Sequence, residues 1–323
     1  MIRANTVFIL GAGASKPYGY PTAAGLRAYI CENFPGMIRG LSFGRMSTVA
    51  APTADMLRDR MYNEAWGLAD KFKRSSTPSI DLFLARNPEH SDIGRNAIVM
   101  SILEKEKRSR FHEDMDDDYK SQDWYSHVFR KMTEELTEPE SFERFKENRV
   151  TFVTFNYDRS LDFFLHQSLS SSFGRAAKEA IVAQLNEIPI LHVYGSVDNL
   201  PWQGGGSEYS ADYSSLEVER MSKNINIVYE SSGNDVRIQD AIKKANQIFF
   251  LGFSYAKENL EVLGIQRCLN SSQAIYGTAL HSTAWERAVI VTRLTTWFAN
   301  EHADMSNPTI KDCNCIQLLR EHL

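Results

Sequence analysis

Short apolar runs alternate along this chain with longer amphipathic stretches. The apolar runs stand at residues 7–10, 150–155, 189–194, 225–229, 247–251 and 274–276, with a further candidate at 289–291. They are rich in β-branched and aromatic residues, and most end in a glycine or a polar turn. The stretches between them carry apolar residues at helical spacing. That alternation predicts an α/β protein: a Rossmann-like, doubly wound parallel sheet with helices on both faces.

The interval between the first two runs reads differently. Residues 54–73, 80–86, 96–107 and 124–136 show helical spacing with charged outer faces, and no β-type run stands among them. This predicts a large helical insertion. The expected division is a sheet domain over residues 1–34 and 149–293, an insertion over 35–148, and a helical tail over 294–323. The acidic run Glu113, Asp114, Asp116, Asp117 and Asp118 is expected to be a solvated loop. Gly204-Gly205-Gly206, after Pro201-Trp202, is expected to be a mobile surface loop.

Composition narrows the class. With 323 residues, 43% of them hydrophobic, the chain can form one large domain or two modest ones. A net charge of -5 argues against strong direct nucleic-acid binding by the whole molecule. No run approaches the roughly 20 apolar residues of a membrane span, and residues 1–10 lack the form of a signal peptide. The expectation is a soluble, cytoplasmic protein. Cys31, Cys268, Cys313 and Cys315 form no Cys-x-x-Cys pair, so neither a zinc ribbon nor another metal site is expected.

Candidate chemistry collects at the strand ends, where ligands bind in doubly wound sheets. After the first run come Gly11, Ala12, Gly13, Ala14 and Ser15, then Tyr20, Pro21 and Thr22. Glycines there let a backbone approach a pyrophosphate, and a helix start offers free N–H groups. The third glycine of Gly-x-Gly-x-x-Gly is missing, because Lys16 holds its place. A phosphate turn and an ordinary strand-to-helix turn are both open readings. The second run is followed by Asn156, Tyr157 and Asp158, with Asp158 as a helix N-cap the alternative reading. The third contains His192 and Tyr194 and leads to Gly195 and Ser196; a buried core histidine is the alternative for His192. The run at 247–251 is followed by Gly252, Phe253 and Ser254.

The motifs Gly11-Ala12-Gly13-Ala14-Ser15, Thr154-Phe155-Asn156-Tyr157-Asp158, His192-Val193-Tyr194-Gly195-Ser196 and Leu251-Gly252-Phe253-Ser254 together resemble the sirtuin-like domains of bacterial antiphage defence proteins. Tyr20-Pro21-Thr22 and Ser79-Ile80-Asp81-Leu82-Phe83 fit the same family, and the likeness spans roughly residues 5–295. The resemblance implies that NAD is bound as a substrate and its nicotinamide–ribose bond cleaved. It further implies that the glycine turn holds the phosphates, Asn156 touches the ribose and positions water, and His192 acts as general base. Asp158 is a candidate for a ribose hydroxyl or for the developing cation.

Two departures shape this expectation. In sirtuins the histidine directly precedes the glycine, where this chain has Tyr194. Strand alternation would put His192 and Tyr194 on one face, so either is a candidate ribose contact. Protein-deacylating sirtuins carry a zinc ribbon that this chain lacks, which favours hydrolysis of NAD, or of NADP, over deacylation. The expected role is an NAD-depleting effector of antiphage defence, triggered by a partner such as a HerA-type hexameric ATPase or a short Argonaute, or by homo-oligomeric assembly. The alternative is a non-catalytic sensor of NAD or ADP-ribose. Trp285, Trp297 and Phe298 are candidate docking anchors, with core packing the alternative reading.

Overall fold

The computed structural model describes residues 1–43, 53–112, 121–174, 176–228, 230, 235–295 and 307–323. Its centre is a six-stranded sheet in the order β3-β2-β1-β4-β5-β6, with every neighbouring pair parallel. The strands are β1 (Thr6–Leu10), β2 (Val150–Thr154), β3 (Ile190–His192), β4 (Gln247–Leu251), β5 (Ala274–Thr278) and β6 (Thr309–Lys311). This is the Rossmann-like, doubly wound arrangement, and the strand order reverses between β1 and β4.

The two strands at the reversal are the most deeply buried. Every residue of β1 is buried, as are the last four of β4. In register, Phe8 lies beside Phe152 on one side and Phe249 on the other, and Phe249 lies beside Tyr276. Their rings stack across four strands with centroids 5.1–5.4 Å apart, ending on His322. Each such aromatic pair adds about 0.5–1.5 kcal/mol beyond the area it buries.

Residues 11–149 separate β1 from β2, and the described part of them is mainly helical. They comprise α1 (Ala12–Ser15), α2 (Ala23–Gly40), α3 (Ala54–Arg74), α4 (Ile80–Arg86), α5 (Ser91–Lys107) and α6 (Trp124–Thr133), with short 3-10 turns between. Thr22, Thr53, Ser79 and Asp123 each cap a helix start by accepting a backbone N–H. The helix α5 is buried on most sides, between α2, α3 and α4 and the later helix at Ser215–Ser222. The helix α2 runs through residue 35 to Gly40. The acidic run at 113–118 lies outside the described residues.

The remaining helices are α7 (Ser160–Ser172), α8 (Lys178–Asn186), α9 (Ser215–Ser222), α10 (Val236–Lys244), α11 (Lys257–Val262), α12 (Ile265–Cys268), α13 (Ala284–Thr295) and α14 (Cys315–His322). No helix among the described residues is long and apolar enough to cross a membrane.

Three expectations about elements are corrected. The run at 225–229 is not a strand where it is described. Its backbone bonds to several partners rather than to one neighbouring strand: the Asn226 N–H donates to the Tyr194 carbonyl, Arg95 Nε donates to the Ile225 carbonyl, and the Ile227 N–H donates to Glu230. Ile225, Ile227 and Val228 are therefore buried without joining a ladder. The run at 289–291 lies inside α13, because three apolar residues fit a helix as readily as a strand. The C-terminal segment is not wholly helical. Thr309–Lys311 pairs with β5 as the sheet's last strand, and α14 follows it. Trp285 is 73% exposed on α13, not packed in a core; Trp297 and Phe298 lie outside the described residues.

One buried ion pair ties the helical block to the sheet. Arg159, between β2 and α7, is 1% exposed, and Glu106 in α5 is fully buried. Arg159 Nε and Nη2 donate to the two Glu106 oxygens at 3.1 and 2.8 Å. Its other donors reach the carbonyls of Asn199, Ser207 and Glu208 at 2.7–2.9 Å. All five guanidinium N–H groups are used. Arg159→Met strands the Glu106 charge and is expected to cost about 3–5 kcal/mol, whereas Arg159→Met with Glu106→Leu should recover most of that loss. Chemical denaturation of the two variants checks this.

Candidate functional site

In a parallel sheet all carboxyl ends open on one edge, and here three turns meet there. Their closest approach is made by glycines. The Gly11 N–H donates to the Leu251 carbonyl and the Gly13 N–H to the Gly252 carbonyl, both at 3.0 Å. A Cβ on Gly11 would stand 2.5 Å from the Gly252 oxygen, and one on Gly13 2.8 Å from the Gly252 Cα. Gly252 has φ +57, and its own Cβ would stand 2.1 Å from the Ala14 nitrogen. These glycines thus allow two backbones to pack at the strand-order reversal. That packing requires glycine at these positions whichever ligand the rim takes.

Asn156 joins the third turn to this pair. Its side-chain N–H₂ donates to the Gly11 carbonyl at 3.1 Å and to Ser15 Oγ at 2.8 Å, and its backbone N–H donates to Thr154 Oγ1. The Gly11 carbonyl can only accept, so the amide must turn its nitrogen that way. The remaining oxygen, Asn156 Oδ1, is buried without a hydrogen-bond partner. Such an atom costs about 1–3 kcal/mol when left unpaired, and it is a ready acceptor for a ligand donor.

Asp158 is also buried, and its Oδ1 accepts from the Ser160 backbone and hydroxyl at the start of α7. The Ser160 hydroxyl meets Tyr125 from α6 at 2.8 Å. Burial raises the Asp158 carboxyl above the usual range, against hydrogen bonds from Ser160 and Ser15. Holding Asp158 ionised near neutrality therefore works against folding. Asp158 precedes the N-cap residue, Arg159, and holds the first residue of α7.

His192 closes β3 opposite Thr154. Its Nδ1 lies 3.1 Å from the Asn156 carbonyl oxygen, and its Nε2 lies 3.3 Å from Asp162 Oδ2 in α7. Both neighbours are acceptors, which calls for a proton on each ring nitrogen. Burial opposes that charge. The bond and charge of Asp162, with help from the Asn156 carbonyl and Asp158, outweigh it and raise the imidazole above its ordinary value.

The other expected residues go elsewhere. The chain turns at His192, where the Gly195 N–H returns to the His192 carbonyl. His192 and Tyr194 therefore do not share a strand face as alternation predicted. Tyr194 donates to Asn259 in α11 and packs edge-on against Phe155, which packs in turn on Phe253. Gly195, at φ +76, presses on the Asn224 carbonyl, and Ser196 Oγ donates to the Asp198 carbonyl. Pro21 and Thr22 enter α2, where Thr22 caps the helix. Ala12 is partly exposed in α1, and Ser254 is exposed and accepts from the Ala256 N–H.

Sequence reasoning missed Asp162, Arg159, Tyr125 and Gln203. None carries a local signal beyond its residue type. Asp81, from the insertion motif, meets the Tyr157 hydroxyl, so that motif packs against the Asn156 turn. Among the described residues no group of three or more His, Cys, Asp or Glu is placed to hold a metal. No protein-family model matches this chain, and no curated protein matches it either.

A group whose folded pKa is raised adds stability below its unfolded value, and loses it as pH rises through the folded one. The stability advantage of the native chain over His192→Gln should thus be complete below about pH 6.5 and fall above it. Denaturation midpoints across pH 5.5–8.5 (about three units, spanning the ordinary histidine range) check the sign. Asp158→Asn keeps an acceptor for Ser160 and should be neutral or stabilising near pH 7 by the same measurement.

Proposed function

We propose that this chain is an NAD⁺ hydrolase that acts as an NAD-depleting effector, and that its context is antiphage defence with activation by a partner or by assembly. The observation that carries this reading is Asn156: a carboxamide pinned by two hydrogen bonds at the strand-order reversal, with one buried acceptor unfilled. A ribose hydroxyl or a water would satisfy that oxygen. NADP remains a candidate substrate alongside NAD, and no metal is needed.

The chemistry asks little of the site. The bond between the nicotinamide nitrogen and ribose C1′ breaks, and its electron pair leaves with nicotinamide. Water attacks C1′ and gives up a proton, so the products are nicotinamide, ADP-ribose and H⁺. The transition state is oxocarbenium-like, as in glycoside hydrolysis. Orientation of the ribose and of water supplies most of what a protein can add. For His192 to accept a proton, its Nδ1 must exchange the Asn156 carbonyl for a substrate hydroxyl.

The present engagement of both His192 nitrogens favours a second reading, a module that binds NAD or ADP-ribose without cleaving it. Incubation of the pure chain with NAD⁺, alone and with candidate partners, separates the two. Nicotinamide release should fall at least about 100-fold in Asn156→Ala and in His192→Ala, in the range of lost positioning or acid–base groups. Release should also decline toward acid pH, since the base must be neutral and its pKa is raised. Tight binding with no turnover under every condition would leave the sensor reading.

A further inference from the structure

Both polar atoms of the His192 ring are engaged, and one partner stands outside every motif. Asp162 lies in the first turn of α7 and is 2% exposed. Its Oδ2 faces His192 Nε2 at 3.3 Å, and its Oδ1 accepts from Gln203 Nε2 at 2.8 Å. Gln203 is held in turn, because its Oε1 accepts from the Leu200 backbone N–H at 2.8 Å. Beside it, Trp202 stacks on His166, one helical turn beyond Asp162, with ring centroids 5.4 Å apart and planes 6° from parallel. The loop over residues 200–206 is thus docked on the same helix that carries Asp162. It continues into Gly204, Gly205 and Gly206, all at positive φ.

We propose that Asp162 is the positioning residue for His192, that Gln203 couples the 200–206 loop to it, and that Nδ1 is the nitrogen that meets substrate. This rests on the reading that His192 works in the site. The geometry separates the two nitrogens. A carboxylate buried beside Nε2 needs its partner, since an unpaired buried charge is costly. The bond from Nδ1 to the Asn156 carbonyl is the neutral and replaceable one. When the ring is neutral, the Nε2–H tautomer keeps Asp162 satisfied and leaves the Nδ1 lone pair for a hydroxyl proton. That proton moves to Nδ1, and the ring returns to the doubly protonated form that Asp162 stabilises. The groups facing the ring are Asp162 from α7, Asp158 from the β2–α7 turn and the Asn156 carbonyl.

The test reads His192 directly. In ¹⁵N-histidine-labelled protein, with His192→Gln assigning the signal, His192 should titrate to the Nε2–H tautomer. Asp162→Asn should lower its midpoint by about one pH unit, a tenfold loss of proton affinity, the size expected for a lost neighbouring charge. Gln203→Ala removes a half-buried loop side chain and should move the midpoint the same way by less. The acid limb of kcat for NAD⁺ cleavage should shift with Asp162→Asn by the same amount, with KM changed less than about twofold, as for a group acting only in the chemical step. A folded Asp162→Asn protein with unchanged His192 midpoint and tautomer overturns the proposal. Should that variant not fold, Asp162→Glu must restore the midpoint shape and Gln203→Ala must still shift it, and failure of both overturns it equally. Midpoints that move in a chain that never cleaves NAD⁺ uphold the positioning role and remove the hydrolase reading. Cleavage with unmoved midpoints does the reverse.

Discussion

The Arg159–Glu106 pair is the constraint on which the rest of the structure depends. A guanidinium buried this deeply is tolerable only if every N–H has a partner and its charge is matched. Those partners come from two places far from it in sequence, α5 and the loop at 199–208, while Arg159 itself stands in the turn that follows Asn156 and Asp158. Glu106 also accepts from the Ser210 backbone, which draws the loop tighter. Helical block, loop and strand end are therefore set relative to one another by a single charged contact, directly beside the candidate site.

Around that contact the rim divides into two parts with different physical work. At the reversal of strand order, Gly11, Gly13 and Gly252 bring two backbones closer than any side chain would allow. Asn156 locks onto the carbonyl and hydroxyl they present. At the end of β3, the chain turns at His192 and sends Tyr194 to a row of aromatic rings with Phe155 and Phe253. The first part presents polar atoms held rigidly with one acceptor to spare. The second buries its polar and aromatic groups among themselves and serves packing.

The raised proton affinity of His192 follows from the same burial. Two acceptors facing one imidazole make the protonated ring the comfortable state, although burial alone would neutralise it. On the proposed reading, a ring held in that state accepts no proton until a ligand displaces one acceptor, and the loop that holds Gln203 is joined to the ring through Asp162.

Much of the fold is legible from local pattern. Apolar runs bounded by glycine or polar turns marked the four central strands and the edge strand at residues 190–192, and helical spacing marked the block between β1 and β2. Motif residues that depend on the neighbouring chain direction, such as Gly11, Asn156 and Gly252, were also legible, because a strand end in a parallel sheet has one destination. The failures have a common cause. Residues 225–228, 289–291 and 309–311 carry too few residues for periodicity to decide, so side-chain partners and sheet edges decided them. The contrast between His192 and Tyr194 turned on where a strand stops, which alternation alone does not encode. Asp162, Arg159 and Gln203 were invisible because a charge at a helix start, or an amide in a loop, is ordinary in sequence. The sequence by itself determined the alternation of strand and helix and the polar rim. Only the tertiary structure decided which buried charges meet, since their partners lie tens of residues away and are chosen by the requirement that no buried charge stay unpaired.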